Sequence, residues 1–310
     1  MIYGVIDVGS NTIRLSIYKY EDDKITSLLK KKTMAGLAGY VNDGYLSPNG
    51  IKLACKIIQE YKSILLNFNI TNISIFATAS IRNVKNTNEV LDMIYEHTGY
   101  AIDLITGEEE ATLDFIGATH ALPITSGLLI DIGGGSTELA VYENAQLKQA
   151  VSLPIGSLNL FSRHVSKLFP KKEEKLAIET EILEHLQNLH LTTNPNGFQT
   201  ICGVGGTIRA SKKLNMTLFE DDMTKPVPVE NIEKMLQLLK KEDKKTLRRI
   251  LQVVPDRVHT IIPGMLILHN IATYYECKEI YVSNYGVREG YLFEKVLKKG
   301  ANNGKNEKDT

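Results

Sequence analysis

The stretch Leu128–Val141 reads Leu-Leu-Ile-Asp-Ile-Gly-Gly-Gly-Ser-Thr-Glu-Leu-Ala-Val, and it decides the interpretation of the chain. An apolar strand runs into Asp131, three glycines follow, and a second apolar run leaves after Glu138. Two strands joined by a short glycine turn predict a β-hairpin. Backbone N–H groups of such a turn are open to a phosphate, and a carboxylate at a strand end can hold Mg²⁺ together with substrate phosphates.

The N-terminus repeats this pattern. In Ile2–Tyr20 a strand ends at Asp7, a Gly-Ser-Asn-Thr turn follows, and a second strand leaves. The alternative is two unrelated hairpins, because one Asp-x-Gly turn is ordinary in β-sheets. Two such turns a domain's length apart favour two related lobes. A third junction of strand, glycines and helix, Gly205-Gly206-Thr207, is a further candidate phosphate contact, although Gly-Gly also serves close packing.

Composition limits the kinds of partner. The 310 residues suffice for two domains, and 36 basic residues balance 36 acidic ones, so any anion site is local. We expect no nucleic-acid partner, because no reader motif or basic arm is present. We expect no membrane span and no signal peptide. Cys55, Cys202 and Cys277 are scattered without a C-x-x-C motif, which indicates buried thiols in a reducing compartment and therefore a cytoplasmic location.

Arg82 is a candidate phosphate ligand. It lies in the polar turn Thr78–Asn83, which follows the short apolar strand Ile73–Ala77. Ligands of open α/β sheets bind outside the carboxyl ends of the strands, and the planar guanidinium suits phosphate oxygens. A surface arginine in a loop is an equally good interpretation of the position alone.

Three glutamates, Glu108, Glu109 and Glu110, open a predicted helix that runs to about His120. Acidic residues in a first turn complement the helix dipole, which is the simplest explanation of all three. Successive helical residues point about 100° apart, so the three cannot share one environment. One of them can face a cleft and serve as a general base, and the spacing does not choose which.

Two other features carry expectations. The run Lys30-Lys31-Lys32 is interpreted as a solvated strand end, with contact to a phosphate chain as the less favoured alternative. A helix is predicted over residues 256–275, and Pro263-Gly264 inside it predicts a kink.

Taken together, the motifs resemble the exopolyphosphatase/guanosine-pentaphosphate phosphohydrolase (Ppx/GppA) family. They occur in the family's order and are Asp7–Thr12, Ala77–Arg82, Gly107–Ala111, Asp131–Glu138 and Gly203–Thr207. Pro263-Gly264 and Val287–Gly290 look like the family's C-terminal signature. The resemblance covers about residues 2–298, and the ordered set is specific although each piece alone is not.

The resemblance implies an α/β protein of the actin/sugar-kinase/Hsp70-like superfamily. Its fold would be two actin-like (ribonuclease H-like) lobes, each a mixed sheet flanked by helices, with a cleft between them. We expect lobes at 1–122 and 123–298, with a C-terminal helix at about 299–310 packing back on the first lobe. The resemblance also makes a homodimer the expected assembly.

The resemblance further implies hydrolysis of the terminal phosphoanhydride of inorganic polyphosphate with Mg²⁺ or Mn²⁺. It implies that Glu110 is the catalytic base and that Arg82 contacts the terminal phosphate. It implies Asp131, Asp7 and Glu138 as metal ligands, with Glu138 also near the attacking water. The residues expected to line the phosphates are Ser10, Asn11, Thr12, Gly133, Gly134, Gly135, Ser136, Gly205, Gly206 and Thr207.

This sequence departs from the family at Asn159, where members often carry an arginine, so one cation for the substrate is missing. The larger members add a C-terminal helical domain with a long basic channel. This chain resembles the short two-lobe form, and we therefore expect little processivity on long polyphosphate.

Three alternative functions stay open at this level. Guanosine pentaphosphate could be cleaved at its 5′ end by the same machinery, and the motifs do not separate the two substrates. A small-molecule kinase of the same superfamily is disfavoured by the Glu110 motif and by the lack of a recognisable sugar-binding segment. A non-catalytic sensor of polyphosphate or alarmone is disfavoured because a pure binder needs no base.

Overall fold

The computed structural model describes residues 1–123, 125–191, 198–222, 224–239 and 244–298. Within them the chain divides into two compact units. Unit 1 comprises Met1–Glu110 and the described residues from Tyr291 onward, and unit 2 comprises Ala111–Gly290. No helix in these ranges combines the length and the apolar character of a membrane span. The three cysteines are buried and unpaired with one another, as predicted.

Unit 1 is built on one mixed sheet. Its strands are β1 (Ile2–Val8), β2 (Thr12–Glu21), β3 (Lys24–Met34), β4 (Val41–Asn42), β5 (Tyr45–Leu46), β6 (Ile73–Ala77) and β7 (Asp103–Leu104). Its helices are α1 (Pro48–Asn67), α2 (Ala79–Arg82) and α3 (Thr87–Thr98), and α4 (Gly107–Ala121) begins in it. The sheet order is β3-β2-β1-β6-β7, with antiparallel pairing from β3 to β1 and parallel pairing from β1 to β7, while β4 and β5 pair separately.

The core of unit 1 lies between this sheet and α1. Alternate residues of β2, Ile13, Leu15 and Ile17, face the helix and are buried with its apolar side. The helix begins as the sequence predicts, because the Ser47 hydroxyl accepts a hydrogen bond from Gly50 N at 3.4 Å and Pro48 occupies the first turn.

Unit 2 repeats the plan with an extra edge strand. Its strands are β8 (Gly127–Ile132), β9 (Thr137–Glu143), β10 (Gln146–Leu153), β11 (Thr200–Val204), β12 (Val227–Pro228) and β13 (Glu279–Val282). Its helices are α5 (Ser157–His164), α6 (Lys172–Gln187), α7 (Gly205–Phe219), α8 (Val229–Leu238), α9 (Lys244–Val253), α10 (Ile261–Tyr274) and α11 (Val287–Tyr291). A π-helical turn, Leu292–Leu297, follows α11 and belongs to unit 1.

The second sheet has the order β10-β9-β8-β11-β13-β12. Strands β10, β9 and β8 pair antiparallel and β8, β11 and β13 pair parallel, so β8 occupies the place that β1 has in unit 1. The predicted fold class, two mixed sheets flanked by helices, is confirmed. The two Asp-x-Gly hairpins that suggested related lobes are therefore equivalent elements.

Local differences from the sequence prediction have simple causes. The predicted polar turn Thr78–Asn83 contains the four-residue helix α2. The predicted kink at Pro263 is absent, because α10 begins only at Ile261 and this proline lies in the first turn, where its missing N–H needs no partner. The C-terminal helix expected at about 299–310 lies outside the described residues.

Candidate active site

One group of candidate site residues lies at the carboxyl edge of the unit 1 sheet. The turn Gly9–Thr12 follows β1, helix α2 follows β6, and α4 begins after β7. The turn is fixed from two directions: Ser80 Oγ donates to Val8 O at 2.6 Å, and Ala38 N donates to Ser10 O at 3.1 Å. Ser10 and Thr12 are buried, so the candidate phosphate ligands of this turn are preorganised.

Arg82 and Glu110 form an ion pair at this edge. The distance from Arg82 Nη1 to Glu110 Oε2 is 2.9 Å, and the same nitrogen donates to Ile105 O at 3.2 Å. The side chains are only 16% and 10% exposed. The pair places a carboxyl group that can accept a proton from water next to a cation that can bind phosphate. Sequence reasoning proposed both residues, and the fold brings them together.

The three glutamates of α4 occupy three different environments, as the helical geometry predicts. Glu108 is exposed. Thr106 caps the helix, since its Oγ1 accepts a hydrogen bond from Glu109 N at 3.1 Å. The Glu109 carboxylate accepts in return from Thr106 N at 3.4 Å and pairs with Lys295. Glu110 is buried and faces Arg82. The tertiary structure therefore shows which of the three glutamates faces Arg82, which the sequence spacing left open.

Asp7 is buried at the end of β1 and forms an ion pair with an arginine. Arg14 lies directly across the hairpin from Asp7, with 3.7 Å between Arg14 Nη1 and Asp7 Oδ2. The residue across the hairpin from Asp7 is thus a cation, whereas at the equivalent position in unit 2 Asp131 lies opposite the carboxylate of Glu138, so unit 2 offers the carboxylate pair. The Asp7 metal-ligand role stays a prediction.

Unit 2 has its own group of candidate residues, around the glycine turn between β8 and β9. Gly133 N donates to Ser136 O at 2.9 Å and closes the turn. Helix α5 begins against it, because Ser157 N donates to Gly133 O and Leu158 N donates to Gly134 O, both at 2.9 Å. A Cβ on Gly156 would lie 2.5 Å from the Gly134 carbonyl, so the close contact requires glycine there.

Asn159, the departure from the family, is part of this support. Its amide nitrogen donates to Gly135 O at 2.9 Å, and its side-chain oxygen accepts from Gly156 N at 2.7 Å. It thus fixes the turn and the start of α5, which an arginine would not do with the same geometry.

Asp131 contacts the third glycine motif. Gly205 has φ +81°, and a Cβ there would lie 1.8 Å from Asp131 Oδ1. Thr207 Oγ1 donates to Ile132 O at 2.9 Å and fastens α7 to the end of β8. The motifs around Asp131 and Gly205 are 74 residues apart in sequence and adjacent in the fold because β8 and β11 are parallel neighbours.

Two arginines of unit 2 were missed by sequence reasoning. Arg257 Nη1 lies 3.2 Å from Thr207 Oγ1, and both Arg257 and Arg209 interact electrostatically with Asp131. Burial, and then Arg209, lower the pKa of Arg257 to about 10, so it is a cation at neutral pH. Arg257 lies in the turn Pro255–Arg257 before α10, and only the tertiary structure brings that turn to Thr207.

The residues of unit 2 fit a divalent cation that binds oxygen. Asp131 and Glu138 lie directly opposite one another across β8 and β9, so their side chains share one face of the sheet. Glu138 is 1% exposed and is oriented by Ser152 Oγ, 2.8 Å from its Oε1. One or two carboxylates completed by substrate phosphates are what Mg²⁺ prefers. Within the described residues, no cluster of three or more His, Cys, Asp or Glu is placed to bind a metal without such completion.

Comparison with known proteins identifies the family and the fold. The model of the Ppx/GppA phosphatase family matches residues 16–299. The solved structure of an Aquifex aeolicus member of the Ppx/GppA family is 27% identical, with a TM-score of 0.78 over 96% of this chain and 98% of that chain. An exopolyphosphatase from Cytophaga hutchinsonii is 22% identical, with a TM-score of 0.84 over 94% and 97% of the two chains, which establishes the likeness in fold.

Proposed function

Because the chain belongs to the Ppx/GppA phosphatase family, we propose that it is an exopolyphosphatase that removes the terminal phosphate of inorganic polyphosphate. The observation that carries the proposal is the buried pair of Glu110 and Arg82 at the carboxyl edge of the unit 1 sheet. Hydrolysis needs a base beside a cation that binds the phosphate, whereas a protein that only binds phosphate needs no base.

In unit 1, Glu110 orients a water molecule and accepts its proton. Arg82 binds the oxygens of the terminal phosphoryl group and stabilises the charge that develops on them. The turn Gly9–Thr12 holds phosphate oxygens through its backbone N–H groups and the hydroxyls of Ser10 and Thr12. Because the transition state of phosphoryl transfer is loose, positioning and charge stabilisation supply most of the rate enhancement.

In unit 2, the turn Gly133–Ser136 and the motif Gly205–Thr207 bind phosphates, and Arg257 supplies the cation that Asn159 does not. Asp131 and Glu138 are the residues that would hold Mg²⁺ or Mn²⁺. When bound, the metal would neutralise phosphate charge beside these two carboxylates.

The test is phosphate release with Mg²⁺ from long-chain polyphosphate, tripolyphosphate and guanosine pentaphosphate in parallel. We expect release from polyphosphate, and a loss of about 10²–10⁴ in kcat for Glu110→Gln, because the base is removed without loss of volume. Glu108→Gln, an exposed neighbour in the same turn, is the matched control and should turn over like the wild type.

Unchanged turnover in Glu110→Gln would show that the base is assigned wrongly. Release from guanosine pentaphosphate alone would make the alarmone the substrate. Transfer of phosphate from ATP to an acceptor would indicate a kinase, and binding of all three compounds without release would indicate a sensor.

A further inference from the structure

Unit 2 contains a cavity of about 250 Å³ at the edge of its sheet opposite to the glycine turns. The cavity lies beside the first residues of β8 and β11, Gly127 and Thr200, whereas the candidate phosphate ligands lie where these strands end. With a rise of about 3.3 Å per residue, Gly127 is about 13 Å along β8 from Asp131. The cavity is therefore separate from the candidate catalytic residues of this unit.

The buried end of the cavity is formed by the side chain of Tyr142, which is 1% exposed. Tyr142 lies opposite Gly127 across β9 and β8, and opposite residues share a face of the sheet. Because the glycine has no side chain, the tyrosine ring can cross β8 towards β11. Tyr142 Oη and Thr200 Oγ1 lie 2.8 and 2.9 Å from the place that a Cβ on Gly127 would take. The sequence thus leaves room for a hydroxyl group at this end of the cavity.

The Tyr142 hydroxyl is a hydrogen-bond donor without an acceptor. Among the residues that the structure describes, none forms a hydrogen bond with it. A buried polar group in this state costs free energy, and each such group in a native structure calls for a partner from outside the chain. Burial raises the pKa of Tyr142, so the phenol stays protonated at neutral pH and can donate. A ligand of the cavity should therefore carry an acceptor.

Around this donor the cavity wall combines hydroxyl groups with apolar surface. Thr200, Thr125 and Ser126 supply hydroxyls, the last two at the exposed rim. Ile201 supplies buried apolar surface, and Tyr281 supplies an aromatic ring at the rim that is 41% exposed. None of the described residues that line the cavity has a charged side chain, so a charged ligand would lose hydration without gaining a counter-ion. The ligand should therefore be neutral.

The volume and the two tyrosines limit the ligand further. Pockets for drug-sized ligands occupy about 300–1,000 Å³, so this cavity suits a smaller molecule of one ring system. The exposed ring of Tyr281 favours a flat ligand, because planar rings stack on aromatic faces. A polyol has hydroxyls on every side and would leave some of them without partners against Ile201.

We infer that this cavity binds a small, neutral, planar heterocycle with a ring carbonyl, which is the chemistry of a nucleobase. The carbonyl accepts the hydrogen bond of Tyr142, the flat face packs on Tyr281, and the polar edge meets the hydroxyls of the rim. The inference goes beyond the proposed phosphatase activity, because the residues assigned to catalysis and to the metal do not line this cavity.

The experiment measures equilibrium binding of uracil and hypoxanthine to the whole chain by ligand-observed NMR titration. Three further probes separate the features of the ligand: benzene has the flat face without the carbonyl, orotate adds a negative charge to uracil, and myo-inositol is a polyol of similar size. Tyr142→Phe removes the buried hydroxyl and keeps the ring, and Tyr281→Ala removes the ring at the rim. Tyr95→Phe, at an exposed tyrosine of unit 1, is the matched control.

We expect at least one of the two heterocycles to bind with a Kd of about 1 mM or lower. Tyr142→Phe should weaken this binding about 3- to 10-fold, because one hydrogen bond is lost. Tyr281→Ala should weaken it about 10-fold through loss of stacking, and Tyr95→Phe should not change it. Without ligand, Tyr142→Phe should keep the thermal unfolding midpoint of the wild type, because the hydroxyl has no partner to lose within the fold.

The inference is overturned if neither heterocycle binds up to its solubility limit, or if Tyr142→Phe and Tyr95→Phe have the same effect on binding. It is also overturned if benzene, orotate or myo-inositol binds as tightly as the heterocycles. A lower midpoint in Tyr142→Phe would show that the hydroxyl serves the fold and not a ligand. Since binding is the readout, failure of phosphate release in the wild type would refute the proposed function separately.

Discussion

At the scale of single residues, Gly205 is the position where one methyl group has the largest effect on the candidate site. Its φ of +81° lies in the left-handed region, and a Cβ would overlap Asp131 Oδ1. Left-handed backbone costs a non-glycine residue about 1–2 kcal/mol, and the overlap forces the carboxylate to move.

We therefore predict that Gly205→Ala lowers the free energy of unfolding by about 1–3 kcal/mol and reduces phosphate release. Denaturant unfolding and steady-state kinetics measure the two effects. Gly39→Ala is the control, because a Cβ there meets nothing within 4 Å. Equal effects of the two substitutions would show that contact with Asp131 is not the reason.

Arg257 is the second residue with a specific expectation. Its guanidinium lies 3.2 Å from Thr207 Oγ1, and the pKa of about 10 keeps it charged at neutral pH. Hydrogen bonds from a charged group contribute about 1.5–3 kcal/mol, so we predict that Arg257→Gln weakens tripolyphosphate binding about 10- to 100-fold. Calorimetric titration measures this, with the exposed Arg249→Gln as the matched control. A similar loss in both variants would mean that only net charge matters.

At the scale of elements, helix α6 shows how local chemistry fixes a terminus. Glu174 accepts hydrogen bonds from Ser166 Oγ at 2.7 Å, Lys171 N at 2.8 Å and Ser166 N at 3.1 Å. These bonds, led by that from the Ser166 hydroxyl, lower the pKa of Glu174 to about 2. The carboxylate therefore accepts from the backbone N–H of the N-cap Lys171 and links the start of the helix to Ser166 in the preceding segment.

The sign of the pH dependence follows from this lowered pKa. A group whose folded pKa lies below its unfolded value stabilises the fold above the unfolded pKa, and the contribution is lost as the pH falls towards the folded one. We predict that Glu174→Gln lowers the thermal unfolding midpoint at pH 7, and that the difference from the wild type shrinks between about pH 4.5 and 2. A difference independent of pH would show that the charge of Glu174 does not matter.

At the scale of the whole molecule, the two units contain equivalent hairpins that differ in the charge of the residue opposite the aspartate. In unit 1 the residue across from the aspartate is Arg14, and in unit 2 it is Glu138. The internal repeat therefore offers two equivalent positions, of which one bears a carboxylate pair. A cation that prefers two carboxylates should bind only at the second.

We accordingly predict about one Mn²⁺ per chain in a calorimetric titration without substrate, because Mn²⁺ takes the same oxygen ligands as Mg²⁺. Glu138→Gln should weaken this binding, and Asp7→Asn should retain it. Chelation of the metal should abolish phosphate release, and added Mg²⁺ should restore it. Two ions per chain, or equal losses in the two variants, would contradict the asymmetry.

The sequence by itself determined the two α/β units, their Asp-x-Gly hairpins, the start of α1 at Ser47 and the family. These depend on local signals, namely apolar periodicity, turn glycines and capping residues, which act over a few neighbouring positions. The order of the motifs makes the family identification specific, because each motif has to occur at its own place in the chain.

Only the tertiary structure decided which glutamate meets Arg82, that Gly205 contacts Asp131, and that Arg257 reaches Thr207. Each of these contacts joins residues from different strands or helices, and strand order and register bring them together. The physical reason is that a side chain's charge and burial depend on its neighbours in space, which no local pattern specifies.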